Sequence, residues 1–183
     1  MRIPFLKNFR RGFATNSSSS HSFVYLKEAQ GLGDENPSRY TDSEFGWGDF
    51  RLDTIREKLF YVLVGMVGGG WEPKSAAEEY EEYGEQFPEL TEDDFEQAVR
   101  GYVDHDSKGL ISAEQARDPH LVVFGGNDNS EGSEERYAAI RSGEVDWTRT
   151  VMEYDDLEHI RQDDEEGQMA IRRFYEANPW AAR

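Results

Sequence analysis

The apolar positions of this chain fall into runs of two kinds. Short, dense runs predict strands: Phe23-Val24-Tyr25-Leu26 is rich in strand formers, and His120-Leu121-Val122-Val123-Phe124 reads as a buried strand that should stop at Gly125-Gly126. Longer runs with helical spacing predict helices. Ile55, Leu59, Val62, Leu63 and Met66 share a face of a helix that Asp53 would cap and Gly68-Gly69-Gly70 would end after Val67. Ser75 is placed to cap an acidic helix through Glu85. Thr91 and Asp94 form a capping arrangement before a helix whose buried stripe would be Phe95, Ala98, Val99 and Tyr102.

Further along, Ser133 opens a predicted helix to about Arg141. Trp147, Thr148, Thr150 and Val151 suggest a strand from Asp146 to Tyr154, and Asp155-Asp156 open a helical tail to Asn178-Pro179 with a break at Gly167. Residues 30–51 read as loop around the compact Glu44-Phe45-Gly46-Trp47. The order β-α-α-α-β-α-β-α predicts an α+β domain, with a small mixed sheet of about three or more strands packed with several helices.

Composition narrows this picture. A length of 183 residues fits one core-forming domain, divided here into a basic, apolar arm at 1–11 and a single α+β domain at 12–183. Hydrophobic residues are sparse at 37% while aromatics reach 13%, so the core should be built around rings. The absence of cysteine excludes disulfides and thiolate zinc sites. The longest apolar run, Leu59 to Val67, is half a membrane span, and Met1–Leu6 is too short for a secretory signal before Lys7 and Arg10. The expected setting is intracellular or virion-associated, neither secreted nor membrane-bound.

The net charge of −18 argues against direct nucleic-acid binding, which needs clustered cations. Arg2, Lys7, Arg10 and Arg11 nevertheless make the arm purely basic, and Ile3, Phe5, Leu6 and Phe9 give it apolar surface to bury. It is expected to dock on its own acidic body or on a second copy, forming a homo-oligomer. The acidic runs Glu78–Glu82, Glu92–Asp94 and Asp163–Glu166 read first as solvated helix faces. High-salt adaptation and DNA mimicry are the sharper alternatives.

Three stretches carry candidate chemistry. Thr15, Asn16, Ser17, Ser18, Ser19 and Ser20 form a hydroxyl-rich run closed by His21, which could serve as acid or base, or hold a phosphate beside the loop's donors. Asp104, His105 and Ser107 follow a predicted helix; the carboxylate could orient the ring, or both could ligate a divalent metal. Read as a calcium loop, the same stretch fails twice, with Lys108 at an oxygen-ligand position and Gln115 replacing the closing glutamate. Asn127 lies in a Gly-Gly-Asn turn just past a strand, and Glu44 stands beside an aromatic pair. His120 and His159 lack supporting neighbours and are expected to be structural or exposed.

The run Gly12-Phe13-Ala14-Thr15-Asn16-Ser17-Ser18-Ser19-Ser20-His21-Ser22 resembles the N-terminal signature of a group of uncharacterised phage and bacterial proteins. In that group a basic residue, glycine or valine, and Phe-Glu-Thr-Asn precede a serine run closed by His-Ser. Glu44-Phe45-Gly46-Trp47 and Val103-Asp104-His105-x-Ser107 resemble later segments of the same group. The chain departs from it at Ala14, where the group often has glutamate. The resemblance implies phage or prophage origin, hence a setting in host cytoplasm or virion, and a shared site, without specifying a reaction.

If these stretches meet, His21, Glu44, Asp104 and His105 would share a pocket with the hydroxyls, suited to a small phosphorylated or nucleotide-like ligand. No serine lies in a glycine-flanked nucleophile turn, so phosphate binding fits better than acyl transfer. The meeting imposes a condition. The serine run precedes its strand while Gly125-Gly126-Asn127 ends another, so the two share a sheet end only if those strands are antiparallel. The rival expectation is a non-enzymatic acidic phage protein with a protein partner, either a virion accessory or an inhibitor that mimics DNA.

Overall fold

The computed structural model describes residues 19–30, 44–45, 50–68, 74–103, 111–127, 138, 144–150 and 165–179. The fold is α+β. Strands β1 (Ser19–Tyr25), β3 (Phe50–Leu52) and β5 (Leu121–Asn127) form an antiparallel sheet in the order β1-β5-β3. Strands β2 (Glu44–Phe45) and β4 (Tyr102–Val103) pair separately and in parallel. Both senses of pairing therefore occur, sorted into two sheets. Among the described residues the helices of two residues or more are α1 (Ile55–Val67), α2 (Ala76–Tyr83, continued by a 3-10 turn at Gly84–Gln86), α3 (Glu92–Ala98), α4 (Ala113–Ala116) and α5 (Glu165–Ala177). No helix among the described residues is long and apolar enough to cross a membrane.

Capping boxes start the first four helices. Ser75 with Glu78 and Thr91 with Asp94 do so as their spacing predicts, and Ser112 with Gln115 opens α4. For α1 the cap is Thr54 rather than Asp53. Glu57 reaches back so that its Oε2 accepts from the backbone N–H groups of both Asp53 and Thr54 at 3.1 Å, while the Thr54 hydroxyl accepts from Glu57 N. The glutamate three residues on decides which neighbour caps.

Alternation along the strands sends side chains to two cores. Phe23, Tyr25, Leu52, Leu121 and Val123 face α1, where they join Leu59, Phe60, Leu63 and Phe95. Val24, Leu26, Val122 and Phe124 face the other way and meet Val145, Trp147, and Ala170 and Phe174 of α5. Gly167, Ala170 and Phe174 form the buried stripe of α5, so Gly167 lies inside the helix and does not break it. Asn178 closes α5 by donating from Nδ2 to Phe174 O (3.1 Å) and Trp147 O (2.8 Å).

Other expectations change. Met66 is 46% exposed, off the buried face of α1. Tyr102 belongs to β4 rather than to α3, which ends at Ala98, and is 37% exposed. Strand β5 continues through Gly125-Gly126 to Asn127, because β1 pairs with it along its full length. Residues 146–150 form a turn in place of a strand. Val145 bridges Leu26, and the Thr150 hydroxyl accepts from Tyr25 N at 3.1 Å, so this segment covers the outer edge of β1. The arm 1–11, the predicted helix from Ser133 (but for residue 138), the start of the tail at Asp155 and His159 lie outside the described residues.

The turn leading into β5 is a junction. Lys58, fully buried in α1, donates from Nζ to Asp118 O (2.6 Å) and Leu121 O (2.7 Å). Asp118 also pairs with Arg149, whose guanidinium lies 4.1 Å from the centre of the Tyr25 ring. His120 has the structural role expected of it, with Nδ1 donating to Leu26 O at 3.0 Å. Burial pushes the Lys58 ammonium down from 10.5 to about 8, against the attraction of Asp118, Asp53 and Glu57. Between those two values the unfolded chain holds the proton more tightly, so unfolding becomes costlier as pH rises. Urea unfolding should therefore show stability increasing by roughly 2–3 kcal/mol from about pH 8 to about pH 10, and Lys58→Met should remove the rise. Tyr25, its phenol raised by burial, makes stability fall again at still higher pH, because the unfolded chain ionises there first.

Candidate functional site

One row of residues crosses the three-stranded sheet at the end where the serine run enters. His21 on β1 is opposite Gly125 on β5, and Gly125 is opposite Phe50 on β3. Residues directly opposed in a sheet share a face, so His21 and Phe50 flank Gly125 on the side of α1. Their strands are about 10 Å apart, two strand spacings. The rings nevertheless meet edge-on, with centroids 5.2 Å apart, because Gly125 puts nothing between them. A Cβ on Gly125 would collide with Cζ and Cε1 of Phe50 and approach Cδ2 of His21 to 2.8 Å. Here the glycine serves close approach rather than a turn.

Tyr61 of α1 closes the row from above. Its hydroxyl is 2.8 Å from His21 Nδ1, and the two rings pack edge to face at 5.7 Å. Phe45 of β2 packs on Tyr61 at 5.2 Å and on Phe50 at 5.1 Å. His21 is consequently 1% exposed, held by a polar contact inside an aromatic box. Replacing Tyr61 by phenylalanine strips a buried imidazole nitrogen of that partner. The expected cost is about 1–3 kcal/mol by chemical denaturation, with secondary structure unchanged by circular dichroism.

The antiparallel condition is met. Ser19 pairs with Asn127, Ser20 with Gly126 and His21 with Gly125, so the end of the serine run and the Gly-Gly-Asn segment share one end of the sheet. The Glu44-Phe45 stretch arrives through Phe45, whose ring joins the box around His21, while the Glu44 backbone is registered against Tyr102. Because β2 and β4 are parallel, the chain leaves both in the same direction, after Phe45 and after Val103, and Phe45 and Val103 lie in one core cluster. Thr15, Asn16, Ser17, Ser18, Asp104, His105 and Ser107 lie outside the described residues, as does most of the calcium-like loop. Gln115, the closing position of that loop, instead accepts from Ser112 N at 2.9 Å in the α4 cap. Among the described residues no group of three or more His, Asp or Glu could hold a metal ion.

Two members of the site escape sequence reasoning. Tyr61 is hidden in an apolar helix, where its one signal is a hydroxyl on a predicted core face, since buried tyrosines seek a partner. Phe50 falls in a segment that reads as loop, and a strand of three residues leaves no alternation to detect. No family model, curated protein or solved structure matches this chain.

Proposed function

We propose that this chain is a phage-associated domain that binds or processes a small phosphorylated or nucleotide-like ligand where the serine run meets the Gly-Gly-Asn segment. The observation that carries the reading is the pairing of Ser19, Ser20 and His21 with Asn127, Gly126 and Gly125. It brings the backbone of the end of the serine run beside that of the Gly-Gly-Asn segment, and hydroxyl, amide and backbone N–H groups are the donor chemistry that phosphate oxygens need. In this reading Thr15, Asn16 and Ser17–Ser20 bind the ligand with Ser107 and Asn127. His21 is the acid/base or anion contact, and Asp104 and His105 orient the ligand or hold a divalent metal, with Glu44 nearby.

The test is thermal denaturation with inorganic phosphate and with nucleoside mono-, di- and triphosphates, each with and without magnesium. Binding to the folded state raises the melting temperature, by about 2.7 kcal/mol of added stability at a hundredfold excess over Kd. The expected result is a rise for at least one phosphate that is lost in the Ser17→Ala/Ser18→Ala double variant and in Asn127→Ala. No rise with any of them at millimolar concentration sinks the reading.

One observation favours a second reading, a non-enzymatic acidic phage protein that acts on a protein partner in the host cytoplasm or virion. His21 is sealed within the core, as a purely structural histidine would be, while Glu78, Glu81, Glu82, Glu92 and Asp93 are exposed on α2 and α3, which pack together. That reading predicts a complex with a DNA-binding host enzyme that dissociates as salt is raised, and no response to phosphates.

A further inference from the structure

Two rows of residues stand back to back near the serine end of the three-stranded sheet. On the face toward α1 are His21, Gly125 and Phe50; one residue further in, on the opposite face, are Ser22, Phe124 and Arg51. Alternation divides the serine run between them, with residues 19 and 21 on the first face and 20 and 22 on the second. The faces differ in charge. The first carries an imidazole among the rings of Tyr61 and Phe50, and the second carries a guanidinium. Arg51 is the one lysine or arginine in the described strands, and Lys27, the next basic residue near β1, lies past its far end. The Arg51 guanidinium sits 5.7 Å from the centre of the Phe124 ring, a platform for its planar fork. Its Nε is 3.2 Å from Asp53 Oδ2, in a pair whose side chains are 36% and 30% exposed. An ion pair this open to water is weak, so exchanging Asp53 for another anion costs little.

We propose that Arg51 is the charge contact for the phosphate group, and that the bound anion takes the place of the Asp53 carboxylate on its guanidinium. The inference rests on the ligand-binding reading and deepens it: a permanent cation, in place of His21, holds the anion, and Asp53 is the internal competitor that sets how tightly. Two observations carry it. A chain of net charge −18 repels an anion, so binding one requires local positive charge, and a planar fork matches phosphate oxygens two at a time. Gly126, opposite residue 20, lies two residues along β5 from Phe124, about 7 Å, and on the same face. A glycine within a paired strand has no side chain of its own there and suits the close approach of a ligand to the backbone. The cation, that glycine and the end of the serine run are thus neighbours on one face.

The test is calorimetric titration of the full chain, at fixed ionic strength, with inorganic phosphate, AMP, ADP and ATP. For whichever of these binds the wild type, Arg51→Gln should weaken binding about tenfold or more, and Arg51→Lys should recover part of the loss. Asp53→Asn should tighten binding about two- to fivefold, because the competing carboxylate is gone. That gain should vanish in the Arg51→Gln/Asp53→Asn double variant, which should bind no better than Arg51→Gln. A merely structural role for the pair predicts the opposite sign for Asp53→Asn, since breaking a structural contact does not improve affinity. Binding in Arg51→Gln within twofold of the wild type overturns the proposal. So does an Asp53→Asn that binds no tighter, or a double variant that keeps the gain, which would place the effect in the general field of the chain. Should Arg51→Gln fail to fold, Asp53→Asn and Arg51→Lys decide. A wild type that binds none of the four removes the ligand reading and this contact with it, whereas a wild type that binds one of them with an affinity indifferent to both residues loses Arg51 alone.

Discussion

Replacing Asp94 by alanine should destabilise the fold by roughly 2–3 kcal/mol, because one carboxylate joins two helices. Asp94 is nearly buried at the start of α3. Its Oδ2 accepts from Thr91 N at 2.6 Å and from the Thr91 hydroxyl at 2.9 Å, completing the capping box. Both of its oxygens also accept from Arg56 Nη2 on α1, at 3.1 and 2.8 Å. Alanine removes the carboxylate half of the capping box, leaving the Thr91 hydroxyl on the residue-94 N–H, and deprives Arg56 of its counter-charge. Because Arg56 is about a third exposed, water recovers part of that loss, which keeps the figure below the roughly 3–5 kcal/mol of a fully buried broken pair. Urea unfolding of Asp94→Ala beside Arg56→Ala and the double variant would separate the two contributions. The full capping box should survive in Arg56→Ala, so its cost is the smaller, and the double variant should cost less than the sum of the singles.

This junction was half legible. The Thr91-x-x-Asp94 spacing announces a helix start because capping is a local geometry written in four consecutive residues, and the same holds for Ser75 and Glu78. The ion pair to Arg56 spans 38 positions and no local pattern encodes it. The same division runs through the site. The serine run, the Glu44-Phe45 pair and the Gly-Gly-Asn turn stand out because their residue types are unusual between apolar runs. That the first and last share a sheet end depends on strand direction, which a sequence poses as a condition and a fold answers. Met66 and Tyr102 fail for a different reason. Met66 continues an apolar spacing but sits off the face that stays buried through Val67, whereas Tyr102 lies beyond α3, which stops at Ala98 so that the chain can turn into β4. Spacing says which face would be buried; only packing says how far the burial extends.

Gly125→Val should cost about 3 kcal/mol or more and should open the site in the same stroke. In sequence Gly125 reads as the end of a strand, because glycine pairs weakly and often marks a turn. In the fold it is a paired residue in mid-strand whose missing side chain lets His21 and Phe50 touch across it. A valine there overlaps the Phe50 ring and presses on His21 Cδ2, and the two rings have unequal freedom to give way. His21 is fixed by Tyr61 and by pairing along β1, while Phe50 stands on an edge strand and reaches the surface. The ring that moves should therefore be Phe50, so the variant should lose stability by denaturant unfolding, and its His21 should react faster with diethyl pyrocarbonate, read by peptide mass mapping. Gly125→Ala should do the same more mildly, within about 1–3 kcal/mol, since a lone methyl group needs less clearance. A valine variant as stable as the wild type would mean that the row has room the rings do not use. Loss of stability with His21 still protected would mean that the backbone of β5 yields before the phenyl ring does.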